Sequence, residues 1–137
     1  MRPSTAHFLQ PYLRNPESLW ALRNVSTNTL LASTVLTAFD RESRNRGLLG
    51  RDALQAGTAL VIAPCSGVHT WCMRFSIDLI FVDRLGTVLR VRQGVRPWRL
   101  ALRLGAFAVI ELPAGSAGDT HAGHVLKLTV LDTAPGL

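Results

Sequence analysis

Apolar and polar positions alternate most clearly between Trp71 and Asp83. Met73, Phe75, Ile77, Leu79 and Phe81 fall on one face; Arg74, Ser76 and Asp78, then Ile80 and Val82, fall on the other. A period of two predicts a strand over this whole segment. Asp83-Arg84-Leu85-Gly86 follows as a hairpin turn, and Thr87 to Arg92 returns as the partner strand. Upstream, the β-branched and apolar residues from Leu22 to Val35 predict a hairpin turning at Ser26-Thr27-Asn28. Thr58 to Ile62 and Ala106 to Leu112 are short apolar runs bounded by Gly or Pro, as expected of buried strands. Val125 to Leu131 alternates again and predicts a last strand. Pro97 to Leu104 is readable as helix or strand, and Gly115 to Gly123 as a small-residue turn with at most one helical turn.

The pattern shifts toward a helix between Thr37 and Leu49. Thr37 or Asp40 can cap it, Phe39, Leu48 and Leu49 supply apolar contacts, and Gly47 and Gly50 end it. Arg41, Arg44 and Arg46 are expected to face solvent or to pair with Asp40, Glu42 and Asp52. Seven to eight short strands with one helix predict a mainly β fold, a compact β-sandwich or distorted barrel. Residues 1–20 are polar, Pro-containing and aperiodic, so they read as a loosely ordered extension with Phe8, Leu9, Tyr12 and Leu13 available to dock. A single β-rich domain over residues 21–132 and a tail over 133–137 complete the expected organisation.

Composition agrees with this. The 137 residues are 47% hydrophobic and 18% charged, as in a globular chain and not a disordered one. The formal charge of +6 comes almost wholly from arginine and is scattered along the chain. Scatter points to solubility and structural pairing before any polyanion. Two cysteines are too few for a secreted disulfide scaffold, and no signal peptide or membrane span is evident. A cytoplasmic protein with reduced thiols is therefore expected.

Three segments carry a resemblance: Arg46-Gly47-Leu48-Leu49; His69-Thr70-Trp71-Cys72-Met73 running into Ile77-Asp78-Leu79-Ile80-Phe81-Val82-Asp83; and Ile110-Glu111-Leu112-Pro113-Ala114-Gly115. In order and spacing the chain resembles the domain of unknown function 192 family over roughly residues 22–131. The resemblance implies a small, mainly β, sandwich-like fold with a helix near its start, and no known activity. Family members usually carry Gly-Asp before the last strand; here the pair is Gly123-His124.

Several side chains invite chemical readings. Cys65-x3-His69-x3-Met73 has the ligand order of a cupredoxin copper site, but a second histidine upstream is found only at His7. Cys65, His69 and Cys72, with His121 and His124, form a soft-ligand set for zinc, at spacings unlike a zinc finger. Met73 equally suits a core position and the thiols equally suit inert burial. Cys65 or Ser66 with His69 and Asp78 nominally supplies a nucleophile, base and orienting acid, without the Gly-x-Ser-x-Gly elbow or another mechanistic frame. Asp78 and Glu111 each sit between apolar residues, where an acid needs a partner; Arg46, Arg74 or the backbone of the Arg46–Gly50 turn are the expected partners of Asp78. Arg90, Arg92, Arg96, Arg99 and Arg103, with Trp98, form the densest basic segment and could follow a nucleic-acid backbone, though no nucleic-acid motif accompanies them. The expectation that follows is a non-catalytic module for a small polar or anionic ligand, with Arg46, His69, Thr70, Asp78 and Glu111 at its site. No cofactor is expected; the alternatives are a small enzyme, or zinc or copper on Cys65, His69, Cys72 and Met73.

Overall fold

The computed structural model describes residues 7–131. Ten strands and two short helices follow one another: α1 (Gln10–Arg14), β1 (Trp20–Asn24), β2 (Thr29–Ala32), β3 (Thr34–Ala38), α2 (Arg41–Arg46), β4 (Thr58–Ile62), β5 (Gly67–His69), β6 (Ile77–Val82), β7 (Val88–Val95), β8 (Leu100–Leu102), β9 (Ala108–Pro113) and β10 (Leu126–Val130). They form a five-stranded sheet in the order β3-β4-β9-β6-β7, a three-stranded sheet β10-β1-β2, and a two-stranded ribbon β5-β8. The sheets do not close into a barrel, so of the two expected architectures the sandwich is the one found.

The β1–β2 hairpin forms as expected, with Asn24 opposite Thr29 and Asn28 in the left-handed region at φ 55°. β3 then leaves that sheet and runs parallel to β4 in the larger one. Parallel neighbours require a crossover connection, and α2 with the Gly47–Gly57 loop supplies it. The helix is shorter than the Thr37–Leu49 expectation. Thr37 belongs to β3, and Asp40 alone caps α2, its carboxylate accepting the Ser43 N–H at 2.7 Å. That bond and one donated by the Ser43 hydroxyl to Asp40 Oδ2, also at 2.7 Å, hold the Asp40 carboxyl below its ordinary range. Gly47, at φ 48°, ends the helix.

Both faces of the five-stranded sheet are covered. Ala59, Val61, Ile80, Val82, Ile110 and Leu112 meet Trp20, Leu22, Leu126 and Leu128 of the three-stranded sheet. On the opposite face Leu60, Ile62, Leu79, Phe81 and Val109 pack under Leu48, Leu54, Met73, Val95 and Ala101. This double burial explains why β4 and β6 are buried at every position and do not alternate with solvent. The expected strand over Trp71–Asp83 is correspondingly corrected: it starts at Ile77, and Trp71–Ser76 is a turn carrying Met73 under the sheet. Cys72, at φ 64°, sits in that turn, so the period-two count through Met73 and Phe75 was coincidental.

Within the stretch expected as an extension, residues 7–14 dock on the body of the domain. Phe8 and Leu9 are buried in the inter-sheet core and Tyr12 packs against it, while Leu13 stays exposed. The Phe8 N–H donates to the Arg84 carbonyl at 2.8 Å, tying the segment to the β6–β7 turn. The expected tail over 133–137 lies outside the described residues. No helix among the described residues is long and apolar enough to cross a membrane.

Candidate functional site

The two buried acids lie on neighbouring strands but on opposite faces of the sheet. Register sets this: Asp78 of β6 stands opposite Leu112 of β9, and Glu111 stands opposite Leu79. Directly paired residues share a face and successive residues alternate, so the acids must point apart.

Asp78 is fully buried. Its Oδ1 accepts the Gly94 N–H at 2.8 Å and its Oδ2 accepts the Ala117 N–H at 2.9 Å. These backbone donors replace the expected Arg46, Arg74 and Arg46–Gly50 partners. Arg74 instead pairs with Asp52, and Arg46 with Glu42 at 2.9 Å, both at the surface. Asp78 therefore fastens the end of β7 and the loop after β9 to the central sheet. With Asp78 facing away, the Cys65–His69–Asp78 trio is not assembled.

Glu111 has no such partner. It is 4% exposed, and its Oε2 is buried without a hydrogen bond among the described residues. Burial raises the Glu111 carboxyl to about 7, because a desolvated carboxylate with nothing to bond is unfavourable. The side chain lines a cavity of about 490 Å³, within the roughly 300–1,000 Å³ range of small-molecule sites. Gly47 covers Glu111, and a Cβ built there would stand 3.7 Å from Glu111 Oε1. Arg41, Arg44 and Arg46 of α2 line the same cavity, as do Cys65, His69 and Met73. Arg44 is steadied by its Nη1–H bond to the Pro64 carbonyl at 3.0 Å.

Of the expected site residues, Arg46, His69 and Glu111 thus share one cavity, and Asp78 does not. Thr70 is buried and occupied: its hydroxyl donates to the Arg96 carbonyl at 2.7 Å and accepts the Arg99 N–H at 2.9 Å. Among the metal candidates, Cys65, His69 and Met73 line the cavity, whereas Cys72 is exposed outside it. The His121 and His124 rings lie with their centroids 3.7 Å apart and tilted by 39°, near Asn24 and away from that cavity. No group of three or more His, Cys, Asp or Glu suited to a metal occurs among the described residues. Burial pushes the Cys65 thiol up, outweighing the smaller downward pull of its hydrogen bond with Gly67 and of Arg44, while Glu111 adds to the rise; the Cys65 S–H donates to the Gly67 carbonyl at 3.1 Å. A protonated, hydrogen-bonded thiol is a weak nucleophile and a weak metal ligand.

Sequence reasoning missed Arg41, Arg44 and Gly47 as cavity residues. The arginines read as a solvated helix face and the glycine as punctuation. The one available signal was that Gly47 and Glu111 both belong to the segments that carry the family resemblance.

Fold and cavity together define a small β-sandwich domain with a polar pocket on one face of its central sheet. The chain belongs to the DUF192 family, described as uncharacterized ACR, whose model matches residues 23–128. No curated protein matches it. Two solved structures are similar to it. One is a protein from Sinorhizobium meliloti provisionally described as a transcription regulator, with a TM-score of 0.69 and 19% identity over 79% of this chain and 90% of that one. The other is a protein of unknown function from Novosphingobium aromaticivorans, with a TM-score of 0.67 and 18% identity over 79% of this chain and 82% of that one. At these identities the likeness shows the fold. All three segments that carry the family resemblance contribute residues to the Glu111 cavity.

Proposed function

We propose that this domain is a non-catalytic module that binds a small polar ligand in the Glu111 cavity. The observation that carries the reading is the buried, unpartnered Oε2 of Glu111 beside a cavity of ligand size. A buried polar atom without a partner is unfavourable by roughly 1–3 kcal/mol, and a ligand hydrogen bond removes that penalty. The group suits either polarity of partner, since a carboxyl near 7 can donate as the acid or accept as the carboxylate at neutral pH. Arg41, Arg44 and Arg46 at the rim favour a ligand that also bears a carboxylate or phosphate. The weak nucleophile at Cys65 and the separation of Asp78 from His69 favour binding over turnover.

Amide chemical shifts during titration with a panel of small carboxylates, hydroxy acids and sugar phosphates test this. Binding is expected to move the Gly47, Leu48, Gly67 and Glu111 amides, and Glu111→Gln is expected to weaken it about tenfold. A panel whose shifts gather elsewhere, or whose affinities ignore Glu111→Gln, would remove the cavity from consideration.

A further inference from the structure

The β5–β8 ribbon presents an exposed apolar strip bordered by unpaired cations. Leu100 and Leu102 alternate outward on β8 while Ala101 between them is buried against Val68 and the core. Leu104 continues the strip at 81% exposure. Its other end carries two exposed tryptophans. Trp71 stacks on His69 at 4.8 Å, and His69 stands opposite Leu100. Trp98 is 62% exposed at φ 66°, a conformation that bulky L residues rarely adopt, held by its N–H bond to the Thr70 carbonyl at 2.9 Å. Arg90, Arg96, Arg99 and Arg103 surround the strip, and among the described residues none of them pairs with a carboxylate. Arg90 instead donates to the Leu102 carbonyl of the ribbon at 3.0 Å and Arg99 to the carbonyl of Trp98, just before β8, at 3.3 Å, which keeps their charge beside the leucines.

We propose that this ribbon docks the domain on an anionic lipid surface. Leucines seated at the acyl boundary, tryptophans at headgroup depth and arginines on lipid phosphates match the way amphipathic surfaces lie on membranes. Charge decides between occupants. A second copy of the chain in a two-fold contact would set the same arginines against each other. A nucleic acid would engage the arginines and stack the tryptophans but leave three exposed leucines in water. An anionic bilayer answers both the charge and the apolar surface.

Co-sedimentation of the full chain with equimolar phosphatidylglycerol–phosphatidylcholine vesicles, against phosphatidylcholine alone, tests the proposal, with tryptophan emission read in parallel. Binding to the anionic vesicles only, with a blue shift, is expected. The double substitution Leu100→Ser and Leu104→Ser, at exposed positions, should weaken it about tenfold and abolish the shift. Arg96→Gln should weaken it about fivefold, and added salt should weaken it further. Absence of anionic-vesicle binding by the folded chain overturns the proposal, as does binding indifferent to the leucines. Concentration-dependent dimerisation lost in the leucine variant would assign the strip to self-association instead. Retarded migration of an oligonucleotide, lost with Arg96→Gln but not with the leucine variant, would assign it to nucleic acid; either result overturns the lipid assignment.

Discussion

Asp78 and Glu111 look alike in sequence, each an acid flanked by Ile and Leu, and the structure gives them opposite roles. Asp78 bonds two backbone N–H groups and joins three chain segments. Asp78→Asn replaces one accepting oxygen with a donor facing an N–H, so it is expected to lower stability by about 2–3 kcal/mol. Urea denaturation checks this, while ligand titration of the folded variant should be unchanged; an unaltered unfolding midpoint would refute the role. Glu111 behaves differently because its carboxyl lies at about 7 in the fold against an ordinary 4.5. The folded state then binds this proton more tightly than the unfolded chain does. The Glu111 contribution to stability is therefore full below about 4.5, declines as pH rises towards about 7, and stays low above it. Against Glu111→Gln, which cannot ionise, the parent protein should lose about 3 kcal/mol between acid and mildly alkaline pH. Parallel pH dependences for parent and variant would show that Glu111 does not carry the shift.

At the scale of elements, short connections place the larger pieces. The α2 helix is 6 residues long, under two turns and too short to be stable alone. Its capping bonds to Asp40 and the burial of Leu48, just after it, against the sheet hold it in place. The β6–β7 turn is fixed in another way. Asp83 Oδ1 accepts the Leu85 and Thr87 N–H groups, each at 2.9 Å, and Gly86 adopts φ 86°. A Cβ at Gly86 would collide with the Leu126 carbonyl oxygen and stand 3.1 Å from Phe8 Cβ. Gly86→Ala therefore strains the turn and separates the N-terminal segment and β10 from it. A loss of about 3 kcal/mol or more is expected in thermal or urea unfolding, and a variant as stable as the parent would contradict the packing described. The hairpin signal at Asp83–Gly86 was legible in sequence. The role of Gly86 as the meeting point of three segments was not, because Phe8 and Leu126 are remote in the chain.

At the scale of the whole molecule, the three-layer arrangement explains where sequence reading succeeded and where it did not. The hairpin at β1–β2, the buried strands β4 and β9 and the end of α2 at Gly47 follow from local chemistry: turn residues, apolar runs and a capping acid. The start of β6 at Ile77, the full strand at Thr34–Ala38 and the ribbon strand β8 escaped because local pattern does not show where a segment lies: Met73 and Phe75 alternate by chance through a turn, β3 is a partly exposed edge strand whose Thr37 also reads as a helix cap, and β8 is only three residues long. The same limit applied to the site. The sequence by itself determined that Asp78 and Glu111 would be buried acids in need of partners, and that the Arg46–Leu49 turn, the His69–Met73 stretch and the Glu111 strand belong to one family pattern. Only the tertiary structure decided that Asp78 turns toward the inter-sheet core and finds backbone donors there, while Glu111 turns toward α2 and finds a cavity. That choice rests on the register between β6 and β9 and on which remote segments cover each face, and neither is encoded in the residues next to the acids.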